Sequence, residues 1–465
     1  MKNDQTIASK KPLGERLGDL FDFSVLSITD NGKRITFLAI FIPKLLETLF
    51  ARLIGTVNTL MISGYAQNAV GATTSATQII NIFTILMNVT VTGCTITASI
   101  ELGRGNRARA GRIVSTALLM SMLTSGAASL FLFLAAEPLL VMLSLEGDAL
   151  VYGVEYLKIR GGLLFLSTLG SFLNTMLICN GKATHTMISG MISNTVNVIF
   201  VYLLLYAKLI PGLSGTAAVA TATEIAALAS IIYSAVTFMH SGCPFVLCFD
   251  KSVLGRLYKI GIPGSIASLA YNLAITVTVG FIGVMGIVSL NAYSYTNSIV
   301  TYACMISAVV SAAVPVFVGR YAGRGDIDSI KKFCRIMLLF AVAANAVISL
   351  FILIFHRNLL SVFTDNEEIF AMALAIFAID FVIECFRAVV NVTEAALNAC
   401  GDVITTLITG LSSAWGCIVL FSYVLGVSLG IGLIGCWIAF AISEIAKAVT
   451  YIIHFSRGKW IKAIR

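Results

Sequence analysis

Twelve apolar runs follow one another along this chain, each long enough to cross a bilayer and each bounded by charged or turn-forming residues. They fall at about 35–62, 73–98, 113–136, 154–180, 184–207 and 215–240, then at about 258–286, 292–318, 333–356, 369–398, 403–427 and 431–456, and are numbered here as spans 1 to 12. A water-soluble fold cannot bury this much apolar surface, because 58% of the residues are hydrophobic and only 12% are charged. Such composition predicts an all-α integral membrane protein with lipid as the solvent for most of the chain. The polar first 34 residues contain no apolar segment of a signal peptide, so span 1 is expected to be the first anchor.

Charge predicts the orientation. Of 31 Lys and Arg, 23 lie in the two tails and in the loops after even-numbered spans, among them Arg104, Arg107, Arg109, Arg112, Lys182, Lys251, Arg256, Lys259, Arg320 and Arg324. The loops after odd-numbered spans carry Lys208 and Arg357 and several acids instead. Basic loops stay inside, so both termini are expected in the cytoplasm and the chain in the plasma membrane as a multi-pass protein.

A shift of 220 residues superposes the two halves: Pro43 on Pro263, Gly103-Arg104-Gly105 on Gly323-Arg324-Gly325, Gly181 on Gly401 and Glu224 on Glu444. Six spans per half give both halves the same orientation, a parallel repeat about an axis along the membrane normal. The expected organisation is a cytoplasmic tail at 1–34, an N-lobe at 35–240, a linker at 241–257, a C-lobe at 258–456 and a second tail at 457–465. Two such lobes enclose a central cleft near the midplane, where transporters hold their substrates.

Ionisable residues inside spans are costly and mark pathways by default. Span 10 holds most of them. Asp380, Glu384, Arg387, Asn391, Glu394 and Asn398 are spaced 4, 3, 4, 3 and 4 apart, so they share roughly 80° of one helix face. Lipid would reject that stripe, which must face the cleft or the interior of its lobe. Glu384 and Arg387 are placed to pair, and Asp380, Glu384 and Asn391 could together offer oxygens to a sodium ion. A structural ion pair accounts for two of these residues but not for six. The repeat mate in span 4 is Arg160, Ser167, Ser171 and Asn174. Span 1 carries Lys44 and Glu47 one turn apart, with Arg52 and Asn58 further along, and Pro43 as a candidate hinge matched by Pro263. Glu444 has Lys447 one turn on. Glu224 has no such partner on its own helix, which makes it a candidate proton carrier or a carboxyl bonded to a neighbouring helix.

Several segments resemble one transporter family. Ile42-Pro43, Gly55-Thr56-Val57-Asn58 and Ala69-Val70-Gly71-Ala72 resemble the first-span region of the MATE (multidrug and toxic compound extrusion) transporters. Gly261-Ile262-Pro263, Leu290-Asn291-Ala292-Tyr293 and Val318-Gly319-Arg320-Tyr321-Ala322-Gly323 are similar to its second-half counterpart. The resemblance covers about 35–456. It implies a V-shaped twelve-helix antiporter that exports organic compounds, often cationic or amphipathic, against inward sodium or proton flow. It also implies that Asn197 and Thr221 match polar positions of a first-lobe cation site. Departures accompany the match: Asn58 stands where many members carry Asp, Val201 replaces a second acid, and Tyr271 stands at a second-lobe acid position.

Other classes find little support. The basic loops suit topology and lipid headgroups rather than nucleic acid, and Gly103-Arg104-Gly105 lacks the context of a phosphate loop. The four histidines share no metal spacing, and Cys243 and Cys248 lack a partner pair for zinc. No nucleophile–base grouping points to an enzyme. A small organic molecule is the expected partner, the coupling ion is the only expected cofactor, and a monomer is expected. The alternative is a flippase for lipid-linked saccharides, which would need a cationic cavity, with Arg52, Arg160 and Arg387 as candidates.

Overall fold

The structure is a computed structural model that describes residues 23–30, 33–63, 67–143, 145–207, 209–210, 214–240, 242, 245 and 248–461, with the side chains at 30, 33 and 56–70 left outside that description. Asn58 therefore has a described backbone only, and Cys243 and the outer parts of both tails lie outside the described residues.

All twelve apolar runs are helical. Span 1 is Phe37–Ser63, span 2 Gln67–Gly103, span 3 Arg107–Leu134, span 4 the pair Gly147–Gly162 and Leu164–Cys179, span 5 Ala183–Tyr206 and span 6 Gly215–His240. Spans 7 to 12 are Lys251–Val284, Ile287–Arg324, Ile327–Ile354, Glu367–Ala399, Val403–Ser428 and Leu433–Ser456. Spans 1 and 7 run without interruption through Pro43 and Pro263. The measured break lies instead in span 4, which bends by 44° just after Gly161 and Gly162. Spans 5 and 11 contain π-helical turns at Tyr202–Tyr206, Ser412–Val419 and Ser422–Ser428.

The repeat is realised down to single turns. Gly105 and Gly325 end spans 2 and 8 at φ of 77° and 73°, where a side chain would be strained. The next residues, Asn106 and Asp326, cap spans 3 and 9 by accepting from the amides of Arg109 and Ser329, each at 3.0 Å. Helix pairing repeats as well. Spans 1 and 5, 2 and 4, and 5 and 6 pack as spans 7 and 11, 8 and 10, and 11 and 12 do. The result is two six-helix lobes arranged as a V.

The lobes meet on the side that carries the linker. There span 2 crosses spans 7 and 8 at glycines that admit no side chain: a Cβ on Gly93 would overlap the Leu257 carbonyl, one on Gly261 the Val89 carbonyl, and one on Gly323 the Ile100 carbonyl. Ser99 faces Gly319, its mate at the repeat offset, and Gly103 lies against Gly323, its own mate, so the pseudo-twofold axis passes through this crossing. Buried Arg320 reaches across and donates to the Cys179 carbonyl at 2.6 Å. Glu101 of the N-lobe, almost fully buried, lies 2.9 Å from Arg104 of its own lobe and 3.9 Å from Arg256 of the other.

A two-stranded hairpin, β1 (Ser27–Asp30) and β2 (Lys33–Thr36), covers the same side. Its Ile35 packs on the Gly181 turn of the N-lobe, while Tyr321 and Arg324 of the C-lobe donate to the Val25 and Thr29 carbonyls at 2.9 and 3.0 Å. Nothing in the sequence reading anticipated this hairpin in what was expected to be a plain tail.

Candidate substrate and ion pathway

Away from the linker, spans 2 and 8 diverge. Their facing sides carry Thr74, Gln78 and Asn81 on span 2 and Ser294, Ser298 and Thr301 on span 8, all exposed or half-buried. Each residue on one helix is the 220-shifted mate of one on the other. Ser268, Asn272 and Thr276 form an exposed polar row on span 7. Their hydroxyls and amide satisfy themselves on carbonyls one turn back, as Asn272 does on Ser268 at 2.8 Å. Exposed polar rows inside spans belong to a water-accessible cleft rather than to lipid. The cleft is therefore walled by spans 1, 2, 7 and 8 and opens on the side opposite the linker.

Behind span 7 the C-lobe holds a cavity of about 350 Å³ reached past Ser268, Tyr271 and Asn272 and lined by Arg387, Asn391, Glu394, Glu444 and Lys447. The span 10 stripe thus turns into its own lobe. Asp380 and Glu384 lie deepest, 4% and 0% exposed. Glu384 pairs with Arg387, as its spacing predicted. Its other oxygen accepts from Asn345 Nδ2 at 3.0 Å, and Asn345 also donates to Ser307 Oγ at 3.1 Å. Asn391 joins this chain through Ser307, donating at 3.0 Å. Of the three candidate sodium ligands, Glu384 and Asn391 are therefore bridged by Ser307 and Asn345, a chain that does not include Asp380. Glu444 pairs with Lys447 at 2.8 Å and lies 3.9 Å from Arg387 Nε, and the Lys447 ammonium sits 5.4 Å from the centre of the Tyr271 ring. Glu394 is close enough to Glu444 and Lys447 to feel both charges. Asp380, Glu384, Glu394 and Glu444 thus share Arg387 and Lys447, an excess of two carboxyl charges when all ionise.

The N-lobe is arranged differently. Glu47 pairs with Lys44 at 2.7 Å and accepts from Thr186 Oγ1 at 2.9 Å. Glu224, read from the sequence as lacking a partner on its helix, is paired with Arg160 across 64 residues of chain. That contact fits the second of its two readings, a carboxyl bonded to a neighbouring helix: helical spacing reports partners on one helix and is blind to those on the next. Asn174 accepts from Ser234 at 2.8 Å, at the end of a hydroxyl chain through Ser189 and Ser230. Asn197 donates to Thr223 at 3.2 Å. Thr221, two residues earlier on span 6, is half-buried.

A model of the MatE family matches residues 43–203 and 263–424, one stretch in each lobe. The chain belongs to the MatE family. Among its relatives is an uncharacterized transporter of Bacillus subtilis, YisQ, 27% identical over 425 residues that cover 90% of this chain and 93% of the relative. A probable multidrug resistance protein, NorM, of Thermotoga maritima is 21% identical over 90% of this chain and 92% of its own length. Among solved structures, the fold matches an outward-facing multidrug resistance MATE family transporter of the MOP superfamily with a TM-score of 0.83 at 16% identity, covering 92% of this chain and 95% of that one. This MatE chain keeps the family's two-lobe scaffold while carrying Val201, fully buried among apolar neighbours, at one position where the resemblance would place an acid.

The sequence reading missed the cleft rows and Asn345. Hydroxyl and amide residues inside spans attract little notice singly, but their recurrence at the 220-residue offset was a usable signal.

Proposed function

We propose that this MatE protein is a secondary-active exporter of amphipathic organic compounds at the plasma membrane, driven by sodium or proton binding in the C-lobe network. The observation that carries this reading is the pair of uncompensated carboxyls buried beside a cavity that adjoins the cleft. Buried charge without a partner costs several kcal/mol, on the order of the penalty for breaking a buried ion pair, so an inward-moving cation or proton stabilises the network by entering it. With the basic loops and both termini inside, the linker side is cytoplasmic and the conformer described above is outward-open. Alternating access then requires the glycine crossing and the hairpin to release on the cytoplasmic side while the outer halves of spans 2 and 8 close. Pro43 and Pro263, each near the cytoplasmic end of a cleft-wall helix, are the proposed hinges. The relatives' description as multidrug resistance proteins supports drug-like substrates.

The flippase reading has less support. It needs several cations in the cavity, and Arg160 and Arg387 are each engaged by a carboxylate.

Purified protein in liposomes, given an imposed sodium or proton gradient, tests the proposal. Ion-driven flux is expected in the wild type and is expected to vanish in the double variant Asp380→Asn/Glu384→Gln while the fold persists. Normal flux in that variant, with loss in Asn58→Leu, would move coupling to the first lobe and overturn it.

A further inference from the structure

The cleft walls carry a charge pattern of their own. From Thr48 to Ile100 and again from Lys251 to Gly325 the chain contains no Asp or Glu, and these two stretches supply spans 7 and 8, span 2 up to its last turn, and most of span 1. Glu101 sits at the linker-side end of span 2 among Arg104 and Arg256, and the other intramembrane acids described above lie at Glu47 beside Lys44 or on spans 6, 10 and 12. The cleft walls do carry a cation in their outer half, Arg52 of span 1, and its side chain is exposed.

Arg52 lines a second cavity, of about 820 Å³, between the lobes. Span 1 contributes Arg52 and Gly55, and span 8 contributes Asn297, Ser298, Thr301 and Tyr302. The rest of the wall is apolar, from Phe351 of span 9 to Phe363 in the connection that follows it. The volume suits one drug-sized molecule, and the lining has the composition of a ligand site: mostly apolar surface with a few converging polar groups that fix orientation. A guanidinium there presents a planar fork of donors that matches a carboxylate or sulfonate, and it repels an ammonium.

We infer that the pocket between spans 1, 8 and 9 binds an organic anion, a carboxylate or sulfonate on an aromatic or aliphatic body, with its acidic head at Arg52 and Asn297 and its body against Tyr302, Phe351 and Phe363. The inference rests on the reading of the cleft as the substrate path and narrows the substrate class in a direction opposite to the organic cations that the family resemblance led one to expect. One acidic head is matched by one guanidinium. The ligand touches both lobes, so it joins span 1 to span 8 while the cleft is open and must lose one set of contacts, or rearrange it, when the lobes rock.

The test uses the full-length protein in nanodiscs of phosphatidylcholine and a matched pair of probes, naphthylacetate and naphthylmethylammonium, with binding read by calorimetry. The acid is expected to bind about tenfold or more tightly than the amine, the factor carried by one charge-assisted hydrogen bond. Arg52→Gln is expected to abolish that preference, Arg52→Lys to retain part of it, and Phe351→Ala to weaken both probes alike. Tighter binding of the amine, or acid binding unchanged in Arg52→Gln, would overturn the inference. So would loss of naphthylacetate binding when phosphatidylglycerol replaces phosphatidylcholine, which would assign the site to a lipid headgroup. Gradient-driven flux of the two probes separates this inference from the export reading. Acid binding without flux removes the export reading alone. Flux of the amine without the acid removes the anion inference alone.

Discussion

Replacing Gly323 by Ala adds one methyl group at the point where the two lobes touch and nowhere else. The added Cβ would overlap the Ile100 carbonyl of span 2 and crowd Gly103, and both are backbone atoms that cannot swing aside. Overpacking of this kind costs about 1–3 kcal/mol. The helix-propensity gain of Ala over Gly, about 1 kcal/mol, is present whether the lobes touch or separate and so cancels. Within each lobe the packing is untouched, so the clash penalises the closed crossing and spares the separated arrangement. The equilibrium should shift toward separation by about 5- to 150-fold. Cys179 reports that shift without an introduced label. It is 1% exposed, Arg320 of the other lobe is bonded to its carbonyl, and its sulfur lies 4.0 Å from Ser99 Oγ at the crossing. Its modification by N-ethylmaleimide in native membranes, followed by peptide mass spectrometry, should accelerate by the same factor while the open population is small. Gly126→Ala, where a Cβ meets open space, serves as the control. Cys179 reacting in folded Gly323→Ala at the wild-type rate would refute the assignment of this crossing as the contact that separates.

Three further outcomes follow from local geometry. Arg160→Met strands the buried Glu224 carboxylate and should lower stability to thermal unfolding by about 3–5 kcal/mol, whereas adding Glu224→Leu should restore most of it; no recovery in the double variant would count against the pair. Tyr321→Phe removes the hydrogen bond to the Val25 carbonyl, worth about 1 kcal/mol, and should speed tryptic cleavage after Arg34 in β2 about fivefold; an unchanged cleavage rate would show that this bond does not hold the hairpin. Asp250 caps span 7 in the linker, and hydrogen bonds from the Ser252 hydroxyl and amide hold its carboxyl below the ordinary range. A depressed folded-state pKa adds stability above the unfolded pKa and loses it as pH falls through the folded one. Asp250→Ala should therefore melt lower than the wild type at neutral pH, with the gap closing in acid; a gap that persisted in acid would mean the carboxylate was not its source.

The spans were legible because lipid leaves the backbone few choices, and a helix of about 20 apolar residues is the common one. The helix ends were less so. Span 2 runs to Gly103 and span 8 to Arg324, several residues past their apolar cores, because it is Gly105 with Asn106 and Gly325 with Asp326 that stop them. Contacts within one helix could be read from spacing: Lys44 with Glu47, Glu384 with Arg387 and Glu444 with Lys447 all form. Contacts between helices could not, and so Arg160 with Glu224 and Asn345 with Glu384 emerged only from the packing. The hairpin at 27–36 was hidden by its brevity, since Ile28 and Ile35 are buried by the lobes above them rather than by any core of their own.

A duplicated scaffold need not divide its chemistry equally, and this one does not. Glu224 and Glu444 occupy the same place in the repeat, yet one meets a single arginine and the other meets Lys447 and Arg387 beside Glu394. In the N-lobe, Glu47 and Glu224 are each matched by one cation. The C-lobe keeps two carboxyls more than its cations neutralise and places them behind the helix that carries the Asn272 row. A lobe whose charges balance has nothing to gain from an incoming cation, whereas one with buried negative excess is stabilised by it. Arg52 reverses the sign again on the cleft wall. An acidic substrate would then be held by a cation on the wall, and the coupling cation by acids behind it, in separate cavities. On that arrangement the two ligands need not compete for one group of atoms: they would act on each other through the lobe geometry that both sense.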